Sequence, residues 1–321
     1  MRATDNMRKQ KWGVFNHYLC TPGREEIYGC DLSDWNATVD GFDVKKLARQ
    51  LHEMGAGYYF ITLVHGNEYM IAPNAAFDKL FGVDAGVLCP RRDLVLDIYN
   101  ALQEYGIELG LYFNCLSPYN DTFGKTYRER IGITEDRIYS QRDALDRLGG
   151  EAFVKSWSEV LREFAVRYGD KIKMWWLDSC YDYAGYNGSL LKYYHDAIKA
   201  GNTDALIGFN NAELLLSNPN GLKKTCEYES LTCGENNTFD YYPESGDVDG
   251  ALTHLLIPLG KERAFCGRWC SPDTDYTREA VRDYISKVNA VGGIVTVDIF
   301  VEPDGSFTDK QRDVLSLRDI L

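Results

Sequence analysis

GGIVTVDIFVEP, residues 292–303, alternates β-branched side chains with small or polar ones and runs out at a proline. Read as a strand, it sends Val295, Val297, Ile299 and Val301 to one face and Thr296, Asp298 and Glu302 to the other, because successive side chains of a strand point to opposite faces. An apolar outer row with a polar inner row near the strand end is what the last strand of a barrel with an active site requires. Upstream of it, short β-branched and aromatic runs alternate with segments of helical period. The strands fall at 11–19, 57–65, 107–115, 172–180, 205–211, 223–230, 263–269 and 293–301, the sign of repeated βα units around a parallel sheet. Between them, FDVKKLARQLHEMG, DLVLDIYNALQEYG, EAFVKSWSEVLREFAVRYG, SLLKYYHDAIKAG, a short AELLLSN, GALTHLLIPLG and TREAVRDYISKVNAVG read as helices, with KQRDVLSLRDIL closing the chain as the eighth, and several end at Gly as helices commonly do. Eight units with nothing left over predict an α/β fold of one domain, a closed (β/α)8 TIM barrel over residues 1–321, rather than an open doubly wound sheet.

Composition narrows the function. The 321 residues are 45% hydrophobic and 26% charged, with a formal net charge of −13. That field has the wrong sign for nucleic acid or an anionic lipid surface, so neither is an expected partner. No apolar run approaches the ~20 residues needed to span a bilayer. The N-terminal MRATDNMRKQK lacks the apolar core of a signal peptide, and the chain reads as cytoplasmic, although a chain trimmed of its signal would read the same. Nine cysteines cannot all pair, and only Cys266 and Cys270 are close in sequence, in no common zinc spacing. Scattered buried thiols are the expectation, with no metal and no cofactor.

Two connections exceed the usual few residues: 116–150 after the third strand and 231–248 after the sixth. Both fall on the face formed by the strands' C-terminal ends, where barrel enzymes carry their active sites. The strand ends on that face bear His17, His65, Asn114, Asp178, Asn210, Glu227, Glu229, Trp269 and Asp298. Acids, amides, imidazoles and an indole together suit a sugar, whose hydroxyls need polar partners and whose apolar face needs a ring. Asp178 closes the hydrophobic strand IKMWWL with Met174 and Trp176 on the same inward parity. A carboxylate so placed is partly desolvated and aimed at the barrel mouth, as a nucleophile must be, or else it serves as a helix cap or loop acid.

KWGVFNHY at 11–18 resembles the K-F-G-I-F-I-H-W opening strand of the retaining α-L-fucosidases, glycoside hydrolase family 29, and MWWLDSCY resembles that family's W-F-D nucleophile strand. FDVKKLARQLHEMGAGYYFITLVHGNEY at 42–69, PRRDLVLDIYNALQEYGIELGLYFN at 90–114 and GGIVTVDIFVEPDGSFTDKQ at 292–311 are similar to further family segments in the same order. The resemblance implies two-step retaining hydrolysis of a small saccharide or glycan, with Asp178 attacking the anomeric carbon and a second carboxylate serving as acid and base. KTCEY at 224–228 matches a T-x-E-Y form of that second acid. It favours Glu227 over Glu229, with Glu235 a remote third. His17 and His65 match hydroxyl-binding histidines. Asn67, Asn114, Asn210, Glu229, Trp269 and Asp298 complete the expected substrate contacts.

The sequence also departs from the family. A paired H-H-D becomes His65-Gly66-Asn67, a following Trp becomes Ala72, the Arg of the fifth strand becomes Ala212 and the Asn of the eighth becomes Asp298. The chain ends at the eighth helix, so the C-terminal β-sandwich of many members is expected to be absent. An inactive carbohydrate-binding barrel is the rival reading, and a metallohydrolase built on His17, His65, Asp178 and Asp298 ranks below both, since no H-x-H or H-E-x-x-H spacing is present.

Overall fold

The structure is a computed structural model, and it describes residues 2–19, 34–66, 69–117, 129, 142–212, 214, 221–264 and 267–319. Asn67, Cys266, most of the 116–150 connection and most of AELLLSN lie outside them. Seven parallel strands form one curled sheet: β1 Trp12–Asn16, β2 Tyr58–Val64, β3 Glu108–Asn114, β4 Ile172–Asp178, β5 Leu206–Phe209, β6 His254–Pro258 and β7 Ile294–Asp298. Their order is β5-β4-β3-β2-β1-β7-β6. The segments read as helices form α2 Val44–Met54, α3 Leu94–Gln103, α4 Glu151–Tyr168, α5 Gly188–Lys199 and α6 Arg278–Ala290, preceded by α1 Ala3–Lys9. Side-chain caps explain several starts: Asp43, Asp93, Asn187 and Thr277 each accept a backbone N–H from the first turn, satisfying donors that a helix leaves unpaired there.

Two of the expected strands are not found where the pattern places them, and one strand forms where it places a helix. Residues 223–230 run through turns rather than a strand, and among the described residues of 263–269 there is only an isolated antiparallel bridge between Arg263 and Gly267. GALTHLLIPLG, expected as a helix, carries β6. The reason is burial on both faces: a run such as Leu255-Leu256-Ile257 is apolar at every position, so it shows neither the period of a helix nor that of a strand. Between the sheet's two edges runs segment 230–236. The amides of Ser230 and Leu231 donate to the carbonyl of Ile207 in β5, Asn236 donates to Leu256 in β6, and the Leu256 amide donates to Gly234.

Inside the curl, Phe15, Tyr58, Phe60, Tyr112, Met174, Trp176, Leu206 and Leu256 pack with Leu231 and Cys233 as one cluster. These rings fit because glycines face them. A Cβ on Gly13 would lie 2.3 Å from the Tyr58 ring and one on Gly110 2.4 Å from the Phe60 ring, the large-against-small filling of a tightly curled sheet's inner face. Met7 of α1 joins the same cluster. Outside it, Val295, Val297, Ile299 and Val301 pack toward the helices as their parity requires. On α4, Phe153, Trp157, Val160, Leu161, Phe164 and Tyr168 are buried at the three-to-four-residue spacing of one helical face. Each such side chain contributes roughly 1.5–3 kcal/mol by leaving water. The Trp157 indole also donates to the Asn114 carbonyl at 3.0 Å, tying the helix to the end of β3.

Candidate active site

A cavity of about 240 Å³ opens at the C-terminal ends of the strands. Asp178 enters it as the last residue of β4. Ser179 follows with φ +62°, a left-handed conformation uncommon outside glycine, which turns the chain sharply away and leaves the carboxylate at the rim. Four donors hold that carboxylate. The Tyr112 hydroxyl donates to Oδ2 in a short hydrogen bond, and Asn210 Nδ2 donates to Oδ1 at 2.8 Å. Asn114 Nδ2 and the Tyr181 hydroxyl stand at 3.4 Å. Burial first, then the neighbouring Asp178 charge, pushes the Tyr112 phenol well above its ordinary pKa, so Tyr112 stays protonated and remains a donor.

The second carboxylate at Asp178 is Glu235. Asn210 Nδ2 also donates to Glu235 Oε2 at 2.7 Å, and Glu235 lines the same cavity. Two oxygens bonded to one nitrogen at 2.8 and 2.7 Å are separated by no more than the two bonds laid end to end. That upper limit falls short of the roughly 6.5–9.5 Å between the carboxyl groups of inverting glycosidases.

The expected partner, Glu227, is a correction. It lies exposed in a turn and lines a separate surface depression with Tyr193 and Tyr228. Glu229 is buried but faces backbone: its carboxylate accepts from the amides of Phe209 and Thr225, where it anchors the end of β5. Both fall at 223–230, where the sequence pattern sets a strand and the structure has turns. Sequence held the signal for the third choice, because Leu231, Cys233 and Glu235 recur at two-residue spacing, and Leu231 and Cys233 enter the inner cluster.

His17, His65 and Trp269 do line the cavity. His65 reaches it through an irregularity in β2, where Thr62 pairs with Tyr112 but Val64 with Phe113. The extra residue shifts the facing of the side chains beyond it. His65 then stacks on Tyr112 with ring centroids 5.4 Å apart and meets His17 edge-on at 5.3 Å. Burial, with His17 second, drives the His65 pKa down to about 3, so it is neutral. His17 Nδ1 lies 2.9 Å from Asp298 Oδ1. Asp298 is itself buried behind the histidine rather than lining the cavity, and Glu302, of the same expected row, is exposed. Asn114 and Asn210 stand behind Asp178 as its donors. Tyr112, Tyr181, Phe15 and Cys270 also line the cavity. Of these, Phe15 and Tyr112 follow from inward parity on strands that the sequence pattern places correctly.

The sequence model of the α-L-fucosidase family matches residues 3–318. The chain belongs to the α-L-fucosidase family. No curated protein matches its sequence. Among solved structures, this member of the α-L-fucosidase family is similar in fold to an endo-fucoidan hydrolase of glycoside hydrolase family 107, with 16% identity and a TM-score of 0.71, over 99% of this chain and 53% of that one. The chain therefore spans about half the length of that relative. It is similar to an α-L-fucosidase of glycoside hydrolase family 29 from Bacteroides thetaiotaomicron at 18% identity and TM-score 0.65, over 98% and 72% of the two chains. Against the α-L-fucosidase AlfC from Lactobacillus casei, in complex with α-L-fucose product, the figures are 14% and 0.63, over 99% and 97%.

Proposed function

We propose that the chain is a retaining glycoside hydrolase acting on α-L-fucosides or a closely related sugar, with Asp178 as nucleophile and Glu235 as acid/base. The observation that carries this reading is the single amide of Asn210 bonded to both carboxylates at the cavity rim. In the first step an Asp178 oxygen bonds to the anomeric carbon as the glycosidic bond breaks, and the Glu235 proton goes to the leaving oxygen. In the second, Glu235 takes a proton from water, whose oxygen displaces Asp178 from the same carbon. Two inversions restore the starting configuration. Tyr112 and Asn210 hold the attacking carboxylate in place throughout, and His17, His65 and Trp269 supply polar and apolar contacts to the ring.

Segment 230–236 is, in this reading, the sixth strand of a closed eight-stranded barrel forming a single domain, supported by its hydrogen bonds to both edge strands. Its irregular backbone is what presents Glu235 beside Asp178.

Simple aryl α-L-fucosides are expected to be poor substrates, since Gly66, Ala72 and Ala212 stand where the family has His, Trp and Arg. A panel of aryl α-L-fucoside and its galactose- and arabinose-configured relatives, with product configuration read by proton NMR, tests the reading. Retained configuration on any member supports it, and inversion or no turnover across the panel rejects it. A kcat/KM on the order of 10⁶ M⁻¹s⁻¹ for the fucoside would show instead that the missing groups are replaced from elsewhere in the chain.

A further inference from the structure

Asp298 ends β7 in full burial, and its two oxygens serve two different walls of the cavity. Oδ1 meets His17 Nδ1 at 2.9 Å, and Oδ2 accepts the backbone N–H of Cys270 at 3.2 Å. Cys270 holds φ +53°, a conformation that costs a non-glycine residue free energy and persists only where its surroundings impose it. Its neighbour Trp269 lines the cavity, 5.8 Å from the His17 ring. Arg263 Nη2 donates to the Cys270 carbonyl at 2.7 Å from the other side of the turn. His17 Nε2 has no hydrogen-bond partner among the described residues, and His17 is a cavity-lining residue.

We propose that Asp298 is a positioning residue that sets the tautomer of His17 and the placement of Trp269 together, so that His17 Nε2 meets the sugar as a hydrogen-bond acceptor. An ionised carboxylate only accepts. It therefore demands a proton on His17 Nδ1, which in the neutral ring leaves Nε2 unprotonated and suited to a hydroxyl donor. The same demand at Oδ2 is met by the Cys270 amide. Asparagine is nearly isosteric but cannot meet both: its NH2 group must face either the Cys270 N–H, donor against donor, or His17 Nδ1, which forces the proton to Nε2. An acid at this position thus fixes which hydrogen bond the sugar receives. The sugar half of the inference rests on the function proposed above; the tautomer half does not.

The test is 15N-detected NMR of histidine-labelled protein near pH 8, with the His17 signals identified by their loss in H17Q. The wild-type protein is expected to show a protonated Nδ1 and an unprotonated Nε2. Asp298→Asn is expected to move the proton to Nε2 or mix the two forms, to alter Trp269 emission, and to weaken L-fucose binding by calorimetry about tenfold. On a cleaved substrate it raises KM more than it lowers kcat. A wild-type Nε2 that carries the proton overturns the proposal whether or not the variant folds, and so does an Asp298→Asn variant with unchanged tautomer and emission. Wild-type protein with the expected tautomer that neither binds nor cleaves any sugar in the panel would leave the positioning role standing and reject the proposed function instead.

Discussion

Three glutamates within nine residues, Glu227, Glu229 and Glu235, compete for one chemical role, and only their surroundings separate them. Glu235 shares a donor with Asp178, Glu229 is engaged by backbone amides, and Glu227 faces solvent. Glu235→Gln should therefore lose about 10²–10⁴-fold on substrates with poor leaving groups, the usual contribution of a positioned acid. It should still form the covalent intermediate from an activated aryl glycoside, and azide should trap that intermediate with retained configuration. Asp178→Gly rescued by azide should give the inverted azide. Glu227→Gln should stay within about twofold of wild type. Steady-state rates across a series of leaving groups check all three, and a leaving-group effect at position 227 in place of 235 would move the acid/base out of the cavity. Tyr112 can be separated from its neighbours in the same way. A hydrogen bond to a charged group is worth ~1.5–3 kcal/mol, so Tyr112→Phe should lower kcat/KM by roughly 10- to 100-fold. Asn210 still holds Asp178 in that variant, so the unfolding midpoint should change little. Equal loss of stability and activity would make Tyr112 a packing residue instead.

The site also depends on how strands end and how closely they approach. Gly13 in β1 has no room for a side chain: a Cβ there would come within 2.4 Å of the Tyr58 backbone carbonyl as well as its ring. Backbone cannot swing away as a rotamer can, so Gly13→Ala should cost about 1–3 kcal/mol or more through overpacking. Thermal unfolding would show this as a drop of several degrees, and an unchanged midpoint would mean that β1 can slide past β2. Glu229 acts at the end of β5. Glu229 is 2% exposed, and its carboxylate satisfies the amide of Phe209 just before Asn210. Glu229→Ala strands that donor, a loss of roughly 1–3 kcal/mol, and shifts Asn210. Stability and activity should fall together, unlike the pattern expected for Glu235→Gln. Irregularity supplies function as well: the extra residue in β2 aims His65 inward, and the left-handed Ser179 exposes Asp178. Neither follows from strand parity, which assumes an unbroken period of two.

At the scale of the whole molecule, burial couples stability to pH. His254, at the start of β6, sits fully buried, and its Nε2 pairs with the Thr296 hydroxyl at 2.6 Å and its Nδ1 with the Thr232 carbonyl at 3.0 Å. Desolvation lowers its pKa to about 4, as it lowers that of His65 to about 3. An unfolded histidine titrates near 6.5. Between that pH and about 4 the unfolded chain binds two protons that the folded chain does not, so stability falls as pH falls through this window and is fully present above it. Each histidine contributes a slope of up to about 1.4 kcal/mol per pH unit. Urea midpoints at pH 7, 5.5 and 4.5 should decline in step, and His254→Asn should roughly halve the slope; a flat profile would mean that both rings are protonated in the fold. Asp304, whose carboxyl is held down to about 2 chiefly by Ser306 and Lys46, loses its contribution only below this window. What the sequence by itself determined is the βα alternation, six of the eight expected strand positions, and the placing of His17, His65, Asn114, Asp178 and Asn210 at or just past strand ends on one face. These are legible because β-branched and aromatic runs bounded by glycine mark strands, and one buried face gives a helix its period. Tertiary structure alone decided the rest: that an all-apolar run is β6 and not a helix, that the backbone bends at 230–236 so that Glu235 and not Glu227 meets Asp178, and that Asp298 faces a histidine. Such choices depend on what packs on both sides of a residue, and a buried position leaves no periodic trace of its neighbours in the sequence.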